Sequence, residues 1–207
     1  MDLVVVDFKL VSFFISCVAL AFSPGPDNMF LFSLSLNEKK KNSFLFLFGL
    51  ITGCIVHTLA LMIGLNLIVT KFPVVLDIFK FIGFVYLIFL SIKLLYTKID
   101  FKYNFKKNQQ INFYMTGFLM NVLNPKVFLF FSVFFPNFIF SSDISFSLQI
   151  LILGLIFIIS TFLVFSIIIF TSNYISIYLK SNSFFNSIKS YLSSIVLFVI
   201  ALLILFA

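Results

Sequence analysis

Two ionisable side chains stand where an apolar chain rarely places them. Asp27 directly follows Pro26 in the run Ser23-Pro24-Gly25-Pro26-Asp27-Asn28, and Lys126 directly follows Pro125 in Asn124-Pro125-Lys126. Proline has no N–H and clashes with the preceding turn, so each run breaks a helix and frees backbone carbonyls. In lipid such groups persist only against protein or a wet cavity. An ionisable group near mid-membrane costs at least about 2.5–3.5 kcal/mol by insertion scales, so it faces a partner or a wet path. Asn124 before Pro125 is a direct helix-start signal, and Pro26 after Gly25 is a second one, with Ser23 the expected cap. Each restarted half-helix turns its positive end toward the membrane interior, where a carboxylate can sit. A cation in a first turn opposes that dipole, so capping does not account for Lys126. The functional reading is that Lys126 and the half-helix starts receive an anionic group, while Asp27 pairs with a cation or carries a proton. The structural alternative is an Asp27–Lys126 salt bridge that merely holds the bundle together.

The remaining candidates carry weaker signals. Pro24, Gly25, Pro26, Asp27, Asn28, Asn121, Asn124, Pro125 and Lys126 form the expected pathway, Asn121 lying one turn before Asn124. His57, the only histidine, is a secondary candidate as a proton relay, against the commoner role of a hydrogen-bonded interior residue. Lys80 is another, against simple snorkelling to the surface. Gly49 and Gly53 form a small-xxx-small pattern for close helix contact. Cys17 and Cys54 fall in apolar stretches and read as packing residues, not as a disulfide or a metal pair. One histidine, with no HExxH and no GxSxG, assembles no catalytic constellation. Asp27, His57 and Cys54 are too few and too mixed to promise a metal centre. The chain is therefore expected to be no enzyme, to hold no cofactor or metal, and to bind no nucleic acid.

The elements that must position these residues follow from composition. Of 207 residues, 62% are hydrophobic and 10% charged, with mean hydropathy +1.20; soluble domains run near 45–50% apolar and about 25% charged. The sequence predicts an all-α polytopic membrane protein, one domain over 1–207. Six spans run about 8–34, 43–69, 73–96, 111–140, 146–172 and 187–206. Met1 is followed by Asp2 and Asp7 with only Lys9 positive, unlike a cleavable signal, so the first span is expected to stay. The fourteen cations are all lysine, the phenylalanines number 34 and tryptophan is absent, biases that AT-rich codons alone produce. Alternate loops carry nine lysines against two, which places both termini outside the cytoplasm. Spans one and four run about 27 and 30 residues, longer than the roughly 20 a crossing needs, and each is broken about 15 residues in. Halves of three spans (about 8–97 and 111–206) must insert in opposite orientations, and matched interruptions point to a 3+3 inverted-repeat transporter with discontinuous helices one and four.

These motifs together resemble the LysE-type amino-acid exporter family, with its RhtB (homoserine/threonine efflux) branch the nearest match. The resemblance is carried by the Ser23–Asn28 run, by Gly49, Gly53 and His57, by Gly83-x-x-Tyr86-Leu87, and by Gly117-Phe118-Leu119-x-Asn121-x-Leu123-Asn124-Pro125-Lys126. It covers roughly residues 15–140 and continues more loosely to the C-terminus. It implies a bacterial inner-membrane protein exporting an amino acid or close derivative, coupled to proton entry, with lipid and the small solute as partners and a homo-oligomer compatible with it. The alternatives are export of another small solute or cation, or a non-transport membrane subunit. Ser91 stands where the family usually has Gly, and the last span uses Ser193, Ser194 and Ala201 in place of glycines, so altered helix packing is expected there.

Overall fold

The computed structural model describes residues 2–23, 25–71 and 112–181, with positions 78, 81, 84–85, 88–89, 91–93, 194–195, 198 and 202 of predicted spans three and six. Pro24, Lys80 and most of those two spans lie outside the described residues. All regular structure among the described residues is helical. Helix α1 (Asp2–Phe22) and α2 (Pro26–Asn37) meet at the first predicted break. Helix α3 runs Lys40–Lys71. Helix α4 (Phe113–Val122) and α5 (Pro125–Leu129) meet at the second break, and α6 runs Phe146–Ser181.

Lys40–Gly64 and Phe146–Ser172 are long and apolar enough to cross a membrane, and so is each bent pair when taken as one broken span. The axis turns by 59° between Phe8–Phe22 and Pro26–Asn37, and by 47° between Phe113–Val122 and Pro125–Phe138. Both bends have the expected cause, a proline at the first position of the second half. Span four carries a feature that its sequence did not suggest. After α5 the chain winds as a π-helix over Phe130–Phe134 and a 3₁₀ turn over Phe135–Phe138, so nothing after the break is a long regular helix.

Glycines set the tightest crossing. A Cβ on Gly49 would strike the Tyr114 carbonyl, and one on Gly117 would strike the Phe46 carbonyl. The backbones of α3 and α4 therefore touch directly, as the small-xxx-small pattern requires. Gly53 lies one turn further on, where a Cβ would meet the Asn121 side chain at 2.5 Å. The third helix face is closed by α6.

Apolar burial divides into two clusters. One gathers Phe13, Cys17, Leu20, Cys54, Val127 and Phe157 with the phenylalanines of the π and 3₁₀ segments. Its rings interlock: Phe131 stacks on Phe135 at 4.8 Å and meets Phe157 edge-on at 4.9 Å. The other gathers Ala21, Leu31, Leu34, Phe46, Leu50 and Phe165. Leu20 and Ala21 are consecutive yet belong to different clusters, because the first break falls at the seam. Large apolar side chains such as Phe8, Ile63, Leu155 and Phe170 face outward, as a lipid-facing surface requires.

Two polar ties hold the ends. Gln149, buried at the start of α6, accepts from Phe140 N and Ser141 N and donates to the Ser141 and Ile144 carbonyls. Lys9 donates to the Ile139 carbonyl at 2.6 Å, so one end of α1 is anchored to the same connection. Between spans three and six, Ser91 and Ser194 exchange hydrogen bonds at 2.9 Å, each hydroxyl donating to the other's carbonyl. The two serines thus form a polar clasp.

Candidate functional site

The two breaks converge on one place. Asp27 and Lys126 are both 3% exposed, and each lies beside Gly25. A Cβ on residue 25 would stand 2.6 Å from Asp27 Oδ1 and 3.0 Å from Lys126 Nζ. Gly25 has φ −151° and ψ 174°, extended backbone open to any residue, so glycine is required for room and not for conformation.

The first break is open. Gly25 is the residue before α2, and no side chain caps that helix start. The expectation that Ser23 caps it is corrected. The Ser23 hydroxyl is buried without a partner, because the extended Gly25 intervenes and the cap position has no side chain. Asn28 folds back instead, its Nδ2 donating to the Ala21 carbonyl at 2.5 Å. The second break is closed on itself. Asn124 Oδ1 accepts from Lys126 N at 3.0 Å, the predicted cap. That amide is consequently spent, and the expected anion seat on the second half-helix start narrows to the Lys126 side chain and the Asn124 Nδ2 group.

Lys126 reaches across to the first break. Its ammonium donates to the Ser23 carbonyl at 2.9 Å and the Leu20 carbonyl at 3.3 Å. Both carbonyls lie at the end of α1, where a helix carries its negative end, and Leu20 O also accepts from Ser23 N. An ammonium has three donors, so two are used. Asp27 Oδ1 accepts no hydrogen bond; the simple closed salt bridge is not the arrangement found. Among the described residues, the buried side-chain atoms without a partner are Ser23 Oγ, Asp27 Oδ1, Asn28 Oδ1, Asn121 Oδ1, Asn124 Nδ2 and Ser166 Oγ. All but the last belong to the two breaks or to Asn121, so the unpaired polar groups are concentrated at the site.

A cavity of about 10 Å³ lies among them, lined by Leu20, Ala21, Asp27, Asn121, Lys126, Val127, Phe157, Thr161 and Phe165. That is roughly the room one water needs. The predicted residues Asp27, Asn121 and Lys126 border it directly. Its other walls were not foreseen: Phe157, Thr161 and Phe165 recur every fourth residue on α6, but that helix is apolar all round, so periodicity does not mark its inner face. Asn121 also donates to Cys54 Sγ at 3.4 Å, tying the second break to α3.

His57 stands behind the site. Its Nε2 lies 3.4 Å from the Asn121 carbonyl, and its ring stacks on Phe131 at 5.3 Å. It does not border the cavity. Cys17 and Cys54 are free and buried, and no group of three His, Cys, Asp or Glu residues gathers as a metal set among the described residues.

Comparison with known proteins places this geometry. The sequence model of the LysE type translocators matches residues 18–207. The chain is 27% identical over 172 residues to a membrane protein of Bacillus subtilis, called YrhP and uncharacterised, covering 78% of this chain and 81% of that one. It is 24% identical over 131 residues to the leucine efflux proteins of Salmonella choleraesuis and Salmonella typhimurium, covering 62% of this chain and 62% of theirs. The match thus spans less than two thirds of those efflux proteins. No solved structure matches.

Proposed function

The chain belongs to the LysE-type translocator family, and from that premise we propose that it exports a zwitterionic amino acid, coupled to proton entry, through the site between its two broken helices. The translocators and efflux proteins it resembles are transporters and not enzymes, and amino-acid or small-solute export is what the family and the leucine exporters support. The finer reading rests on one observation: a buried carboxylate and a buried ammonium flank a single cavity, with unpaired polar atoms around them.

The roles follow from the pairing that each group lacks. The cargo's ammonium sits on Asp27 Oδ1 and the neighbouring Asn121 Oδ1. Its carboxylate takes the third donor of Lys126, helped by Asn124 Nδ2. Asn28 and the extended Gly25 shape the first break, and Pro26 and Pro125 start the two second half-helices. Pro24 belongs to the same motif. Protonation of Asp27 from outside removes the charge that holds the cargo's ammonium and so releases it. One proton entering down 100 mV supplies about 2.3 kcal/mol, enough for roughly a 40-fold gradient of a neutral solute.

The setting is the bacterial inner membrane, with both termini outside and the lysine-rich loops in the cytoplasm. Predicted spans three and six complete a 3+3 inverted repeat around the site. Assignment to the homoserine/threonine branch rests on the quoted motifs and is part of this reading. His57 and Lys80 are left outside the core mechanism.

The test is efflux of all twenty amino acids, read by mass spectrometry from loaded cells with and without an uncoupler. Export of at least one amino acid, collapsing with the proton gradient, is expected. Unchanged export by Asp27→Asn would remove the proton-carrying role, and unchanged export by Lys126→Ala would remove the carboxylate seat.

A further inference from the structure

The cavity holds one negative and one positive side chain, Asp27 and Lys126. A zwitterion's own ammonium and carboxylate consume both. What then faces the cargo's side chain is Leu20, Ala21, Val127, Phe157, Thr161 and Phe165, five apolar groups and one hydroxyl. From this we infer that the exporter selects amino acids with an uncharged side chain, and that the stripe Phe157, Thr161, Phe165 on α6 sets the size and polarity accepted.

The inference rests on the export reading above and deepens it. A lysine or glutamate side chain entering here would bring a third charge with no counter-charge on the wall. Burying an unpaired charge costs far more than burying a methylene, whereas an apolar pocket separates neighbouring aliphatic side chains by only about tenfold to two-hundredfold. Selectivity is therefore steep against charge and shallow among apolar cargoes.

The stripe has the geometry for that task. Phe157, Thr161 and Phe165 are spaced i, i+4, i+8, so they share one face of α6. Phe157 belongs to the cluster on one side of the seam and Phe165 to the cluster on the other. Thr161, 4% exposed, sits between them. The two rings thus line the cavity from either side of the seam, with Thr161 between them along the helix. With about 10 Å³ free in this conformer, the rings occupy the space that a side chain would take, and shortening one enlarges it directly. None of the three residues hydrogen-bonds with the charged pair, whose ammonium donates to the Leu20 and Ser23 carbonyls.

The experiment is radiolabelled counterflow in liposomes containing only this protein, with valine, leucine, phenylalanine, lysine and glutamate offered separately. Wild type is expected to exchange the first three within about a hundredfold of one another and to exchange neither lysine nor glutamate measurably. Phe165→Ala is expected to raise phenylalanine relative to valine by about tenfold or more. Thr161→Asp is expected to open the protein to lysine, because it supplies the missing counter-charge. Phe165→Leu is the milder variant that must shift the same ratio in the same direction if the alanine variant does not assemble. Wild-type exchange of lysine or glutamate at the rate of leucine overturns this inference while the export reading survives. So does an unchanged phenylalanine-to-valine ratio in both Phe165 variants. No exchange of any amino acid by wild type overturns the export reading itself.

Discussion

Replacing Lys126 by Met separates what the charged pair does for the fold from what it does for transport. Methionine keeps the length and apolar stem but removes the ammonium. The Ser23 carbonyl loses its side-chain donor, Leu20 O keeps only Ser23 N, and Asp27 loses the cation beside it. Removing one partner from buried charges costs about 3–5 kcal/mol. For a chain of this length that lowers the unfolding midpoint on the order of 10 °C, at about 2–4 °C per kcal/mol. Adding Asp27→Asn removes the stranded charge, leaving mainly the Ser23 carbonyl at about 1–3 kcal/mol, since Leu20 O still accepts from Ser23 N, so part of the lost stability returns. Cys17 and Cys54 are free and buried, so a thiol-reactive dye in detergent reads unfolding directly. The same preparations are then assayed for amino-acid counterflow. Stability is expected to fall in Lys126→Met and to recover in part in the double variant, while transport is lost in both. A double variant that transports at the wild-type rate would show that the pair is only a structural tie, and the reasoning fails.

Three further outcomes follow from single contacts. Gly49→Ala puts a methyl on the Tyr114 carbonyl and 2.8 Å from Phe118 N, where backbone cannot yield, so it costs about 1–3 kcal/mol or more in the dye assay; an unshifted midpoint refutes the close crossing. Gln149→Leu strips the connection at Phe140–Ile144 of its buried partners and costs about 1–3 kcal/mol per stranded group. Its preference among amino acids is expected to match wild type, since Gln149 does not border the cavity. Gly25→Ala meets only the mobile ends of Asp27 and Lys126, so its midpoint stays within about 1 kcal/mol, whereas displacing both groups lowers counterflow by about a hundredfold, the usual consequence of a misplacement near 1 Å. Wild-type counterflow in that variant would mean the cargo does not sit between them.

The breaks were legible because proline acts locally: no tertiary context restores its missing donor, so Pro26 and Pro125 mark the second half-helices from sequence alone. The Asn124 cap was legible for the same reason. Ser23 misled because capping depends on which residue turns extended, and that was Gly25, two positions nearer the helix than Ser23. The π-helical run Phe130–Phe134 left no mark, since its residues suit any helix and the wider turn answers ring packing against Phe13 and Phe157. The phenylalanine excess reads as codon bias and still supplies that packing. The cavity stripe on α6 was hidden by uniformity: lipid and core ask for the same side chains, so an apolar helix does not show which face turns inward.

The polar groups left over at the two breaks discriminate between kinds of cargo. Lys126 has one donor to spare, Asn124 Nδ2 another, and the Ser23 hydroxyl can serve either way. Against them stand Asp27 Oδ1, Asn28 Oδ1 and Asn121 Oδ1, three oxygens without donors. A simple anion would take the donors and leave the three oxygens dry, at about 1–3 kcal/mol each. A bare metal cation would satisfy oxygens but lie beside the Lys126 ammonium, where like charge opposes it, and would leave the amide of Asn124 unmatched. A zwitterion brings an ammonium with three donors and a carboxylate that accepts, which is the only one of the three that meets both sides of the inventory. The same count explains why Asp27 and Lys126 do not simply close on each other. Lys126 is held toward α1 by the Ser23 and Leu20 carbonyls, so Asp27 Oδ1 beside it accepts no hydrogen bond.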